Sequence, residues 1–308
     1  MGCNIVSYDE SYLEDLVAVF NRETADDPFV VPLTPALFTD QISSKLYFAA
    51  EGCFLAVENG RVTGFALTAP GIARGEATVR ADVGSVDGLF FPRERLEIGD
   101  ALLDQCLAYF EGQGTVKTVY GFASFGGYPY WRGIYCGPEP VCLSHYTHVW
   151  VTFMARGFTH HQQSLNYLGT PEPRTYRTDL VYEETDLDLS SEGWERETWK
   201  GHRPKMIRTM LGNEPVGRIG YVDLPYLSDY RGKPVGGIYT MGVEERFRRH
   251  GIATALIHYL FNLAYERGIE EILVGTTVEN TAARRTYEKG GMRPVAFRTG
   301  TMYRFRDY

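Results

Sequence analysis

The chain has 308 residues, 44 % of them hydrophobic and 23 % charged, and a formal net charge of -8. That length exceeds what one hydrophobic core usually spans, which favours two domains. Up to Thr170 there are 10 lysines and arginines against 19 acids, and the remainder has 21 against 20, so neither part is basic enough for a nucleic-acid surface.

The acidic first part suits an amine substrate, or serves solubility alone. No apolar run reaches the roughly 18 residues of a membrane span. The N-terminus shows no basic segment followed by an apolar core, so no signal peptide is expected. All five cysteines (Cys3, Cys53, Cys106, Cys136 and Cys142) lie in the first half, without Cys-x-x-Cys spacing. A reduced, cytoplasmic protein is expected.

The first predicted strand is Asn4–Ser7. Residues 11–21 carry Leu13, Leu16, Val17 and Phe20 at helical spacing. A second helix is expected over 35–45, with Thr34 as cap and Pro35 at its first position. Strands at 54–57 and 62–67 flank Asn59-Gly60, a strong hairpin signal. A strand at 83–91, a helix at 96–110 and a strand at 116–124 follow. Residues 126–140 are rich in glycine, proline and aromatics and read as a loop. Its Tyr128, Tyr130, Trp131 and Tyr135 either line a pocket or anchor the loop to its domain. Residues 145–156 form a predicted helix closed by Gly157, and 158–168 a terminal strand pair or edge segment. Gly169-Thr170-Pro171-Glu172-Pro173 breaks the pattern, and the domain boundary is placed at 172/173.

The second half repeats part of this plan. A hairpin is expected from 205–210 and 216–222 around Gly212-Asn213-Glu214, then a central strand at 236–243. A helix over 251–267 carries Ile252, Leu256, Leu260 and Leu263 on one face and ends at Gly268. A strand at 269–277 leads to a helix at 280–289, capped by Asn280 and closed by Gly290. Two strands, 292–297 and 302–305, finish the chain. The likeness is one of plan rather than of close sequence, and it favours two related mixed-sheet domains over one large barrel.

The most informative stretch is Arg248-Arg249-His250-Gly251-Ile252-Ala253. It joins the central strand to a helix start, where unpaired backbone N–H groups and the helix dipole favour a phosphate or diphosphate. Gly251 allows close approach and Ala253 keeps the helix start narrow. The basic residues Arg246, Arg248, Arg249 and His250 either contact that phosphate or form a solvated loop. His250 has no partner at metal-ligand spacing, so no metal is expected.

With the segment 278–292, which holds Asn280, Tyr287 and Gly290-Gly291, this turn resembles the GCN5-related N-acetyltransferase (GNAT) superfamily. The shared pattern is Arg/Gln-x-x-Gly-x-Gly/Ala, matched by Arg248, Gly251 and Ala253, with a strand ending in Val243 before it. The fold implied is mixed αβ: two tandem acyl-CoA N-acyltransferase-like domains, 1–172 and 173–308, each a twisted mixed sheet flanked by helices. The resemblance implies acetyl-CoA as cosubstrate, held by Met241, Val243, Arg248, Arg249, His250, Gly251, Ile252, Ala253, Thr254, Asn280 and Ala283. Tyr287 matches the family's general acid; its other reading is an aromatic packing the last helix on the sheet. Tyr239, two residues before Met241 and on its face of a regular strand, is a second catalytic candidate. Asp223 and Glu279 are candidate bases, or surface carboxylates.

The first half departs from the pattern. Glu94 stands where Arg248 does and Glu97 where Gly251 does, and carboxylates there repel a diphosphate. It reads as a degenerate domain that supplies a lid, a substrate wall or support. The second half has no room in 194–203 for the two helices the family usually places there, so its acceptor wall is expected from the first half, within 128–135. The reaction implied is acetyl transfer to a primary amine of a small molecule or peptide, by a monomer or homodimer, without nucleic-acid or membrane partners. The competing reading is a non-catalytic acyl-CoA-binding or interaction protein.

Overall fold

Local signals place most of the elements where the sequence puts them. The computed structural model describes residues 3–72, 79–122, 130–135, 137–138, 144–189 and 198–305. In the first half, β1 (Asn4–Ser7) leads to α1 (Leu13–Thr24), whose Leu16, Val17 and Phe20 are buried. The short α2 (Pro35–Phe38) starts where Thr34 Oγ1 accepts the Leu37 N–H at 3.1 Å, and a wider turn extends it through Thr39–Ser43. β2 (Cys53–Glu58) and β3 (Arg61–Ile72) meet at Asn59 and Gly60, both with positive φ (50° and 77°), the conformation a tight two-residue hairpin needs. β4 (Val79–Phe90), α3 (Leu96–Gly112), β5 (Thr118–Gly121), α4 (Thr147–Ala155) and β6 (Thr159–Gly169) complete this half.

The second half comprises β7 (Val181–Asp186), β8 (Lys205–Leu211), β9 (Glu214–Asp223), α5 (Pro225–Arg231), β10 (Val235–Val243), α6 (Ile252–Glu266), β11 (Glu271–Thr277), α7 (Thr281–Lys289) and β12 (Arg293–Arg304). The sequence reading omits α5, although Pro225 in its first turn and Gly232 beyond it in the left-handed region (φ 65°) are ordinary helix limits. It also divides β12 in two. Gly300 and Thr299 suggest a break, but the strand only shifts register at Gly300/Thr301 and continues.

All twelve strands join in one sheet, in the order β1-β2-β3-β4-β5-β12-β6-β11-β10-β9-β8-β7. Exchanging each strand for the one six places later in the chain reverses this order, so the halves are related by a pseudo-two-fold between β12 and β6. Each half lends its last strand to the other: β12 lies between β5 and β6, and β6 between β11 and β12. Two separate sheets, as expected from the sequence, are therefore replaced by one continuous sheet with helices on its faces. Residues 158–168 are not an edge segment. β6 is central because its own half closes on β12 instead of on a further strand.

The core follows the exchange. The residues beneath α6 and α7, including Leu256, Leu260, Phe261 and Tyr287, form one cluster. The first half's core does not stop at its own strands. It runs across to Trp199, Val222, Leu224, Leu227, Val235 and Leu273 on the opposite face of the second half. Arg231, which pairs with buried Glu271 at 2.8 Å and donates to the Pro28 carbonyl at 3.0 Å, ties the same two halves together at the surface.

Candidate active site

β10 and β11 run parallel only from Val235 to Ile238, opposite Glu271 to Val274. Beyond that point β10 follows β9 to Val243 and β11 follows β6 to Thr277. Their facing edges part and open a notch, across which no strand pairing joins them among the described residues. One wall depends on the first half, because Gly275, Thr276 and Thr277 are paired with Asn166, Leu165 and Ser164 of β6.

A bulge marks the start of the notch. Ile238 faces Tyr221 and Thr240 faces Gly220, so Tyr239 is the extra residue. Gly220 permits this: a Cβ there would lie 2.5 Å from Tyr239 Cζ and 2.7 Å from Thr240 Cγ2. The bulge also breaks the strand's alternation. Tyr239 packs on the first half's core, whereas Met241 and Val243 pack on the cluster under α6. Tyr239 therefore lies on the opposite face from Met241, unlike the regular strand assumed from the sequence. Its hydroxyl donates to the Lys205 carbonyl at 3.2 Å.

The Arg248–Ala253 turn stands at the end of β10. Arg249 (φ 67°) and Gly251 (φ 77°) are both left-handed, which swings the chain from strand into helix. Among the described residues no acceptor takes the N–H groups of Arg249, His250, Gly251, Ile252, Ala253 or Thr254, while Ala255 closes the first helical turn on Gly251 at 3.0 Å. No Cβ on Gly251 or Gly242 would meet anything within 4 Å. Arg248 and Arg249 are exposed and form no ion pair among the described residues, and Arg246 pairs with Glu214 at 3.2 Å. Arg248 Nε donates to the Val243 carbonyl at 3.3 Å, and a free row of donors at a helix start, backed by guanidinium groups that are in no ion pair, is an anion site.

Across the notch, Asn280 caps α7, its Oδ1 accepting the Ala283 N–H at 3.1 Å. Its oxygen is therefore already engaged, and Ala283 is half-buried beside it. Tyr287 is 5 % exposed and packs 5.5 Å from the Tyr167 ring. Asp223 and Glu279 are both exposed.

The corresponding place in the first half is built differently. No described residue from Phe91 to Asp100 has a positive φ, and Glu97 is paired with Arg95. Phe90, near the end of β4, is surrounded by Phe20, Phe122, Trp131 and Tyr135 at ring distances of 5.0, 5.9, 5.8 and 6.2 Å. Tyr130, Trp131 and Tyr135 are buried in this core and pack inward; Tyr128 lies outside the described residues, as do Cys136 and Cys142. Nearby, between the loop after β4 and the loop before α4, a cavity of about 690 Å³ is lined by Glu23, Asp26, Asp27 and Glu94 together with Arg22 and Arg93. Arg22 is already paired with Glu23 at 2.7 Å, which leaves a lining hostile to a diphosphate.

Residues 172–292 match the model of the acetyltransferase (GNAT) family. No curated protein sequence matches the chain. Among solved structures it is similar to a GCN5-related N-acetyltransferase from Sphaerobacter thermophilus (14 % identity, 99 % of this chain and 96 % of that one, TM-score 0.67). A tandem GNAT protein from the clavulanic acid biosynthesis pathway is comparable (12 %, 98 % of each chain, 0.64). So is Saccharomyces cerevisiae N-myristoyltransferase, solved with bound myristoyl-CoA (10 %, 99 % and 80 %, 0.58). At these identities the likeness is one of fold, and the chain has a GNAT-like acetyltransferase fold. No helix among the described residues is long and apolar enough to cross a membrane, and no group of His, Cys, Asp or Glu among them forms a metal site.

Proposed function

We propose that the chain is an acetyl-CoA-dependent N-acetyltransferase acting on a primary amine, with one cofactor site, in residues 173–308. The observation that carries this is the pairing of the β10/β11 notch with the free N–H groups of Arg249–Thr254 at its mouth. The turn and Arg248 and Arg249 take the diphosphate. The pantetheine arm lies in the notch along Met241 and Val243, where unpaired strand edges offer its amides the hydrogen bonds they lack. Asn280 and Ala283 border it from α7. Backbone N–H groups of β10 polarise the thioester carbonyl and stabilise the charge that develops as the amine attacks. Tyr287 protonates the departing thiolate, and the proton that the amine nitrogen gives up passes through water and restores the phenol. The first half is a degenerate repeat whose own notch is filled.

One observation favours the alternative, a non-catalytic acyl-CoA-binding protein: Tyr287 is nearly fully buried on the inner face of α7. Incubation with acetyl-CoA and a panel of amines, polyamines, aminoglycosides and peptide N-termini separates the two. Amine-stimulated release of coenzyme A supports the enzyme, and binding without release supports the alternative. A Tyr287→Phe variant that kept full turnover at all pH values would remove the general acid from the scheme.

A further inference from the structure

We propose that Arg132, from the first half, is a positioning residue for the second half's notch, holding the Tyr239 bulge through Trp199. Arg132 is buried, and its guanidinium lies 3.8 Å from the centre of the Trp199 ring. It donates to the Pro138 carbonyl and approaches Thr198 Oγ1 at 3.5 Å. Trp199, also buried, meets the Tyr239 ring edge-on at 4.7 Å. Tyr239 is the bulged residue at which β10 leaves β11.

A second contact of the same loop supports this placement. Pro138 covers Gly237, where a Cβ would come within 2.9 Å of the proline ring. The loop thus touches β10 directly at Gly237 and through two aromatic rings at Tyr239, on either side of Ile238, the last residue paired with β11. Gly133, left-handed at φ 71°, lets His202 lie against it, since a Cβ there would be 2.5 Å from Nε2. Burial, then the Arg132 charge, bring the His202 pKa down to about 4, with buried Lys45 adding to the effect, so the imidazole is neutral beside the arginine. A cation over an indole in a dry seam is a strong and directional contact. It fixes the bulged residue, which the pairing of β10 with β9 leaves out.

The consequence for function rests on the acetyltransferase reading: residues 239–243 include Met241 and Val243, so loss of the Arg132 contact weakens coenzyme A binding. The test uses the full chain and hydrogen exchange, with Arg132→Gln, Arg132→Lys and, as a second route to the same contact, Trp199→Phe. Arg132→Gln and Trp199→Phe are expected to speed exchange in residues 239–243 about tenfold while Glu271–Thr277 changes less than about twofold. Arg132→Lys, which keeps the cation, is expected to restore most of the protection. Unchanged exchange in 239–243 for both variants, or an equal rise across the whole chain, overturns the proposal. Titration with coenzyme A on the same proteins keeps the two ideas apart. A wild-type chain that binds no coenzyme A sinks the acetyltransferase reading and leaves the exchange comparison decisive. Cofactor affinity that stays at the wild-type value while exchange in 239–243 rises contradicts a role for this contact at the cofactor's wall.

Discussion

Asp87 occupies in β4 the place Tyr239 has in β10. Leu67 faces Gly88 and Thr68 faces Val86, so Asp87 is the bulged residue of its own half. Its carboxyl is buried beside Ser85, whose hydroxyl is its hydrogen-bond partner. Burial pushes its pKa up to about 7, against the lowering effect of that hydrogen bond. Tyr130, next in the field of Asp87, is itself held neutral by burial. The group is therefore more basic in the folded chain than unfolded, where an ordinary aspartate titrates near 3.8. The sign follows: its contribution is full below the unfolded value and is lost as pH rises through about 7. Between pH 5 and pH 8 that loss amounts to about 2.5 kcal/mol. Asparagine cannot ionise, so Asp87→Asn removes this slope. Its amide leaves one buried donor poorly matched, which costs about 1–2 kcal/mol at pH 5. Urea unfolding of both proteins at pH 5 and pH 8 gives the difference of differences directly. A value below about 0.5 kcal/mol would show that Asp87 is not buried as a neutral acid beneath the aromatic plug, and the reasoning would fail.

Glu184 is the opposite case. Burial works against its charge, but hydrogen bonds from Arg267, Lys205 and Tyr221 outweigh it and hold the pKa at about 2. Its contribution is present above an ordinary glutamate's value and lost as pH falls towards 2, so Glu184→Gln should cost about 1–2 kcal/mol at pH 7 and close to nothing near pH 2. Urea midpoints at several pH values check this. Residues 173–308 expressed alone would lack β6, leaving β11 and β12 with open edges, and should aggregate or remain unfolded by circular dichroism and size exclusion. Addition of residues 144–172 to that fragment should restore solubility only in part, because β12 still lacks β5. Gly251→Val places a β-branched residue at φ 77°, and should cost about 1–2 kcal/mol in thermal unfolding while weakening coenzyme A binding more than tenfold by calorimetry.

Local chemistry made most elements legible. The Asn59-Gly60 turn, the Thr34-Pro35 helix start and the Asn280 cap each act within four residues, and each stands as read. The Arg248–Ala253 turn was legible because Gly251 and Ala253 follow a basic run at fixed spacing where a strand gives way to a helix. The strand exchange was not. β6 and β12 pair across more than a hundred residues, and nothing in 159–169 differs from an edge strand until its neighbours are known. The Tyr239 bulge escaped for a related reason, since it depends on Gly220 of the adjoining strand. The contact of the loop with the second half was half visible. Its aromatics were recognised, but Tyr130, Trp131 and Tyr135 turned inward to fill the first half's notch, and Arg132 between them carries the contact to the second.

Calorimetric titration of the full chain with acetyl-CoA is the most direct measurement, with Arg248→Ala/Arg249→Ala as its partner. One equivalent should bind to the wild-type chain, and loss of two exposed cations that are in no ion pair among the described residues should weaken binding by about 1–3 kcal/mol without altering the melting temperature appreciably. Absence of binding, two equivalents per chain, or an unchanged affinity in the double variant would contradict a single diphosphate clasp at Arg249–Thr254.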